Sequence, residues 1–217
     1  MGQMPRRGRF ISIEGSEGAG KSTNIDFIRN ELVARGIPVV ETREPGGTPL
    51  GEDIRDLLLD HRHEGMMDDT ELLLIFAARC EHLDQVIRPA LARGQWVLCD
   101  RFTDASYAYQ GGGRGITMDR IGQLEEWVQQ GLQPDLTLLL DIPVAEGLER
   151  TRKRGGGPDR FERQQLDFFE RVRQCYLDRA RRYPRFALID ARHPLTQVQA
   201  QIRDTLTRFI EHAGQGD

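Results

Sequence analysis

The residues best equipped for chemistry are eight in a row near the start of the chain: Gly15, Ser16, Glu17, Gly18, Ala19, Gly20, Lys21 and Ser22. They match the pattern G-x-x-x-x-G-K-[S/T], with an apolar run before it and a helical pattern after it. Each residue type has a physical purpose. Glycines let the main chain curl until its N–H groups converge into an anion nest. A helix starting at Lys21 adds the positive end of its dipole. The Lys21 ammonium suits the β- and γ-phosphates of a nucleoside triphosphate, and the Ser22 hydroxyl suits Mg²⁺. The segment implies binding of ATP with Mg²⁺, but leaves open what receives the phosphate.

Asp100 closes the apolar run Trp96-Val97-Leu98-Cys99 and is followed at once by Arg101. A carboxylate at the carboxyl end of a strand beside the glycine loop can act on the Mg²⁺ shell; an Asp–Arg pair can equally cap the next helix. Farther along, Leu72, Phe76, Arg79 and Leu83 are spaced to share one helical face. An arginine amid apolar side chains needs a partner. That partner is either the polar edge of a ligand or a carboxylate such as Glu44. The segment Asp60-His61-Arg62-His63 reads as polar surface rather than a metal site. No Asn-Lys-x-Asp tetrapeptide is present to read guanine. A small nucleotide-binding chain with a separate acceptor pocket is best described as a nucleotide kinase.

The elements that position these residues alternate between strand and helix. Candidate strands are Phe10–Glu14, Val39–Thr42, Trp96–Asp100, Leu136–Ile142 and Phe186–Asp190, short apolar runs of the kind buried on both faces of a parallel sheet. Candidate helices are Lys21–Arg35, Thr70–Arg93 with a kink near Pro89, Phe161–Tyr183 and Leu195–His212. The pattern predicts an α/β, doubly wound, five-stranded parallel sheet flanked by helices on both faces. No linker or repeat divides the chain, so one domain over 1–217 is expected.

At 217 residues the chain can bury a large core, and no apolar run is long enough to span a bilayer. The basic N-terminus lacks the apolar stretch of a secretory signal. A net charge of −4 argues against a dedicated nucleic-acid binder. Cys80, Cys99 and Cys175 are spaced for neither disulfides nor a metal, and read as buried thiols. A cytoplasmic protein without nucleic-acid or membrane partners is expected.

Six segments occur in order: Glu14-Gly15 with Glu17; Thr42-Arg43-Glu44-Pro45-Gly46-Gly47-Thr48; Phe76-Ala77-Ala78-Arg79; Asp100-Arg101-Phe102; Tyr109-Gln110-Gly111; and Asp159-Arg160-Phe161-Glu162. Together they resemble the thymidylate kinase family, and the likeness runs from about Phe10 to Asp190. It implies a P-loop kinase fold that transfers the γ-phosphate of ATP to dTMP. ATP would lie over Gly15–Ser22 and Thr23, with Asp190 and Ala191 walling the adenine. Around dTMP, the resemblance places Glu44 and Pro45 in the pocket, Phe76 stacked on thymine and Arg79 on its O4. Gln110 has an amide suited to N3–H and a carbonyl, Ser106 is a polar neighbour, and Tyr109 lies beside the sugar. Arg55 and Arg101 would clamp the acceptor phosphate, and Glu17 would approach the 3′-hydroxyl. Family members are commonly homodimers.

Some thymidylate kinases carry an arginine within the glycine loop at the position of Gly18. Here the position is glycine, so a substitute cation must come from elsewhere. The stretch Arg150-Thr151-Arg152-Lys153-Arg154-Gly155-Gly156-Gly157 supplies several. It reads as a short mobile lid over about 150–161, with Arg152 or Arg154 catalytic and Arg150 against adenine. Two alternatives stay open: another nucleotide kinase, or an ATP-dependent regulatory module. A nucleoside acceptor would not need two phosphate-binding arginines. A regulatory module would need no acceptor pocket.

Overall fold

The computed structural model describes residues 7–63, 65–154 and 165–215, with Arg154 and positions 213–215 described in their main chain alone. Five parallel strands, β1 (Phe10–Glu14), β2 (Val39–Arg43), β3 (Trp96–Asp100), β4 (Leu136–Asp141) and β5 (Phe186–Asp190), form one sheet in the order β2-β3-β1-β4-β5. The apolar run of β1 is buried along its whole length, as the central strand of a covered sheet must be. Chain connections diverge on either side of β1, which opens a crevice at the carboxyl ends of the strands. In register there, Ile13 lies beside Asp100 and Arg43 beside Asp100 from the other neighbour.

The helices are α1 (Lys21–Ala34), α2 (Pro49–Leu59), α3 (Asp68–His82), α4 (Arg88–Ala92), α5 (Thr103–Ser106), α6 (Met118–Gln129), α7 (Val144–Arg154), α8 (Leu166–Arg182) and α9 (Leu195–Gln215). One apolar layer joins Ile25, Ile28 and Leu32 of α1 to Ile202 and Leu206 of α9 beneath the sheet. Another joins Leu72 and Phe76 of α3 to Phe169, Val172 and Tyr176 of α8 on the opposite face.

All five expected strands are present, and two differ by one residue at one end. Helix α2, beyond the expected set, has a plain cause: Thr48 accepts a hydrogen bond from the Gly51 N–H at 3.0 Å, and Pro49 opens the first turn. The expected start at Thr70 is moved to Asp68, after Met67, with Asp68, Asp69 and Glu71 complementing the helix dipole. The expected kink at Pro89 is a wide π-helical turn over Leu83–Ile87, after which Pro89 sits harmlessly in the first turn of α4. A second wide turn spans Tyr107–Gly113. Cys99 and Cys175 are buried, but Cys80 is exposed. It lies roughly 40° beyond Phe76 around α3, just outside the buried stripe. Positions 155–164, including the three lid glycines and Asp159–Glu162, lie outside the described residues. Among the described residues, no helix is long and apolar enough to cross a membrane.

Candidate active site

A cavity of about 590 Å³ opens at the carboxyl ends of β1 and β3. One end is main chain. Gly15, Gly18 and Gly20 have φ of 145°, 73° and 88°, values that a side chain would strain. At Gly18 the constraint is also spatial: a Cβ there would sit 1.9 Å from the Gly147 carbonyl oxygen of α7. Lys21 Nζ donates to the Gly15 and Ser16 carbonyls at 2.9 and 3.2 Å. Burial, and then the nearby Arg101, lower the lysine pKa. Ser22 and Thr23 line the same cavity. In the same lining, Asp100 Oδ1 is buried without a hydrogen-bond partner. An orphan carboxylate oxygen in one cavity with a hydroxyl suits Mg²⁺, which takes one or two protein oxygens and completes its octahedron with phosphates and water.

The middle of the cavity is bridged by ions. Arg101 adopts φ of 66°, rare for a residue with a side chain. Its guanidinium donates to Glu17 at 2.6 Å and to the Gly15 carbonyl at 3.0 Å, and lies 4.7 Å from the Tyr109 ring centre. Tyr109 O–H donates to the same Glu17 oxygen at 2.9 Å. Arg55 donates to the Pro45 carbonyl at 2.9 Å; burial, and then Arg43, disfavour its charge, so an anion there would relieve it.

The far end is made of side chains braced by buried carboxylates. Arg79 is 1% exposed. Its Nε donates to Glu44 at 2.7 Å and one amino group to Ser106 at 3.0 Å, while Nη1 is buried without a partner. Glu44 also contacts His82 Nδ1 at 3.0 Å, and His82 Nε2 meets the Thr42 hydroxyl at 2.6 Å. Burial opposes the Glu44 charge, but Arg79 and His82 hold its pKa below the ordinary carboxylate value. Gln110 Nε2 donates to the fully buried Glu71 at 2.9 Å, and Arg114 donates to both Glu71 oxygens.

Most of the expected site residues therefore meet in one place. Glu17, Lys21, Glu44, Pro45, Arg55, Arg79, Asp100, Arg101, Ser106, Tyr109, Gln110 and Arg150 all line the cavity. Of the two partners expected for Arg79, the carboxylate Glu44 is present, and one donor, Nη1, is left over. Gly15, Ser16 and Ala19 of the loop are outside that lining, and three further residues stand apart. Phe76 is 2% exposed and backs the Arg79 guanidinium at 4.6 Å, behind the cavity wall. Asp190 turns its carboxylate to Arg192 at 2.5 Å, while Arg150 donates to the neighbouring Ala191 carbonyl at 3.0 Å. Arg152 is exposed on α7 outside the cavity lining, and the Arg154 side chain is outside the described set. Sequence reasoning missed Glu71, His82 and Arg114. Their trace was present, because Glu71, Arg79 and His82 place a polar group at every other turn or closer along the buried stripe of α3.

It also missed a support beneath the loop. Glu14 is fully buried, accepting from the Phe102 N–H at 2.7 Å and from Tyr176 O–H at 2.8 Å. Burial, and then the nearby Asp104, push its pKa up to about 8.

Comparison with known proteins gives the family. Residues 13–202 match the family model described as thymidylate kinase. The chain belongs to the thymidylate kinase family. It is 59% identical over 205 residues to the thymidylate kinase of Pseudomonas putida (strain GB-1), covering 94% of this chain and 97% of that one. It is 61% identical, at the same coverage, to that of Chromohalobacter salexigens. Among solved structures, a thymidylate kinase from Ehrlichia chaffeensis superposes with a TM-score of 0.75 at 32% identity, covering 93% of this chain and 99% of that one. As a member of this family the chain is a nucleoside monophosphate kinase, a phosphotransferase on the P-loop kinase fold.

Proposed function

We propose that the chain, working as one domain, transfers the γ-phosphoryl group of ATP to dTMP, yielding ADP and dTDP for DNA-precursor synthesis. The observation that carries the reading is the single cavity joining the glycine loop to Arg79 and Gln110. Its two ends suit a triphosphate and a pyrimidine, and its middle holds the cations that two facing phosphates need.

In this reading the main-chain N–H groups of 15–22 and Thr23 hold the ATP phosphates, and Lys21 leaves the Gly15 and Ser16 carbonyls for the β,γ-oxygens. Ser22 and Asp100 would hold Mg²⁺, directly or through water, which supplies charge neutralisation on the phosphates when bound. The buried Nη1 of Arg79 donates to thymine O4 and Gln110 engages N3–H, with Phe76 acting from behind the wall by packing on the Arg79 guanidinium. Glu44, Pro45 and Ser106 shape that end. Tyr109 crowds the 2′ position of the sugar, and Glu17 meets the 3′-hydroxyl. Arg55 and Arg101 take the acceptor phosphate. An anionic phosphate oxygen then attacks the γ-phosphorus in line; the new O–P bond forms as the bond to the β-phosphate oxygen breaks, leaving ADP. Little proton transfer is needed, so placed charge does the catalysis. With Gly18 pressed on Gly147, no arginine fits in the loop. This supports α7 as its source, through Arg152 or Arg154, with Arg150 and the Asp190–Ala191 turn beside adenine.

The exposed Leu50, Leu57 and Leu73 of α2 and α3 support a homodimer through that face. We place the enzyme in the cytoplasm, acting on free nucleotides without nucleic-acid or membrane partners. An ADP-release assay with Mg-ATP against dTMP, dUMP, dCMP, dAMP, dGMP, AMP and thymidine tests the reading. Strong turnover with dTMP and none with thymidine is expected. Preference for thymidine would remove the phosphate clamp, and turnover indifferent to every acceptor would remove the kinase reading.

A further inference from the structure

An amide side chain presents a donor on one side and an acceptor on the other, and it can turn over by rotating about its last bond. Which face Gln110 offers the cavity therefore depends on what it touches behind. Its Nε2 donates to Glu71 Oε1 at 2.9 Å, and that oxygen belongs to a carboxylate with 0% exposure. Arg114 holds the carboxylate from the other side, at 3.3 Å to the same oxygen and 3.1 Å to Oε2. An ionised carboxylate only accepts, so the turned amide would set oxygen against oxygen in a buried place. The arrangement commits one Nε2 hydrogen to Glu71 and keeps Oε1, the amide's acceptor, on the branch away from that carboxylate.

We infer that Glu71, held by Arg114, is a positioning residue that fixes the polarity of Gln110 and thereby excludes cytosine from the base site. The inference rests on the proposed dTMP-binding reading and extends it. Thymine offers a donor at N3–H next to an acceptor at O4. Cytosine offers an acceptor at N3 next to a donor at N4. Gln110 Oε1 and Arg79 Nη1 form the pair acceptor-then-donor, complementary to the first and opposed to the second. Arg79 cannot change its polarity, because a guanidinium only donates. Gln110 can, so it is the position that needs a lock, and a buried anion provides one.

The test compares Arg114→Met with the double variant Glu71→Gln/Arg114→Met, measuring kcat/KM for dTMP and for dCMP. In the double variant two facing amides can turn together, with packing volume nearly kept. The expected result is a narrowing of the dTMP-to-dCMP ratio by about tenfold or more, with dCMP turnover rising outright. The single variant takes the Arg114 cation from a buried carboxylate, which can then bind a proton and donate, so its ratio should narrow too, by less than that of the double variant. A double variant that loses both activities by one factor, ratio unchanged, would make the pair merely structural and overturn the inference. Should the double variant not fold, the side-chain amide of Gln110 in the unaltered enzyme decides, assigned by its loss in Gln110→Leu. A proton protected from exchange in both free and dTMP-bound protein supports the lock; loss of that protection on dTMP binding overturns it. If the unaltered enzyme does not prefer dTMP over dCMP, the underlying substrate reading has failed instead.

Discussion

The two ends of the cavity are built of different material. At the end proposed for ATP the polar groups are main-chain, and glycines at 15, 18 and 20 create the space; the chief side chain is Lys21. At the end proposed for dTMP they are side chains, and each is set by a second side chain behind it: Arg79 by Glu44, Gln110 by Glu71. A phosphate is recognised by charge and by many equivalent N–H groups, so a curled backbone is enough. A base edge is read by one donor and one acceptor whose directions matter, so rotamers and amide faces must be fixed. The first problem is solved by a local segment, the second by contacts among distant ones.

The comparison predicts that one cation dominates the ATP end. Lys21→Met should lower kcat by about 10³-fold or more, since a cation at the migrating group acts mainly in the transition state. Binding of dTMP, measured by calorimetry, should stay within about threefold. An equal loss of dTMP affinity would mean that the two ends are not separable.

A matched pair of substitutions then tests each material separately. Gly18→Ala puts a methyl at positive φ, 1.9 Å from the Gly147 carbonyl oxygen. A strain of about 2–3 kcal/mol should raise the ATP KM roughly fiftyfold and leave the dTMP KM nearly unchanged. Arg79→Met should do the reverse. Losing a charged donor and leaving Glu44 with fewer partners should cost dTMP about a hundredfold in kcat/KM, with the ATP KM held. If both variants weakened both substrates alike, the cavity would be one coupled unit.

The same contrast explains what could be read from sequence. The glycine loop lies within eight consecutive residues and is bracketed by a strand and a helix, so its curled conformation was legible along with the sheet. Arg79, Arg101 and Gln110 were legible as residues through family motifs, and Arg55 through the resemblance alone, but none as geometry. Nothing in local spacing says that Glu71 meets Gln110 across 39 positions or that Tyr176 reaches Glu14 across 162. Both contacts are made by packing α3 and α8 over the sheet. Cys80 failed for a related reason: an apolar periodicity marks a stripe, and a residue just beyond its edge belongs to solvent. Phe76 was placed on the correct face of α3, yet the guanidinium of Arg79 lies against it.

Glu14 tests whether the two ends share a foundation. It ends β1 immediately before the glycine loop, yet it accepts the N–H of Phe102 beside Arg101. With its pKa raised from 4.5 to about 8, mainly by burial, the folded protein holds this proton while the unfolded chain releases it. Its contribution to stability is therefore complete below about pH 4.5 and is lost as pH rises through about 8. Within that window the loss has a limiting slope of about 1.4 kcal/mol per pH unit for one proton. Glu14→Gln keeps an acceptor for Phe102 and removes the titration. Urea melts at pH 6 and pH 7 should show the unaltered protein losing about 1.4 kcal/mol more than the variant, a tenfold change in its folding equilibrium. Parallel curves would mean that Glu14 is ionised throughout, held by Arg101 and Tyr176. The glycine loop and the acceptor arginine would then rest on a buried anion rather than on a shared proton.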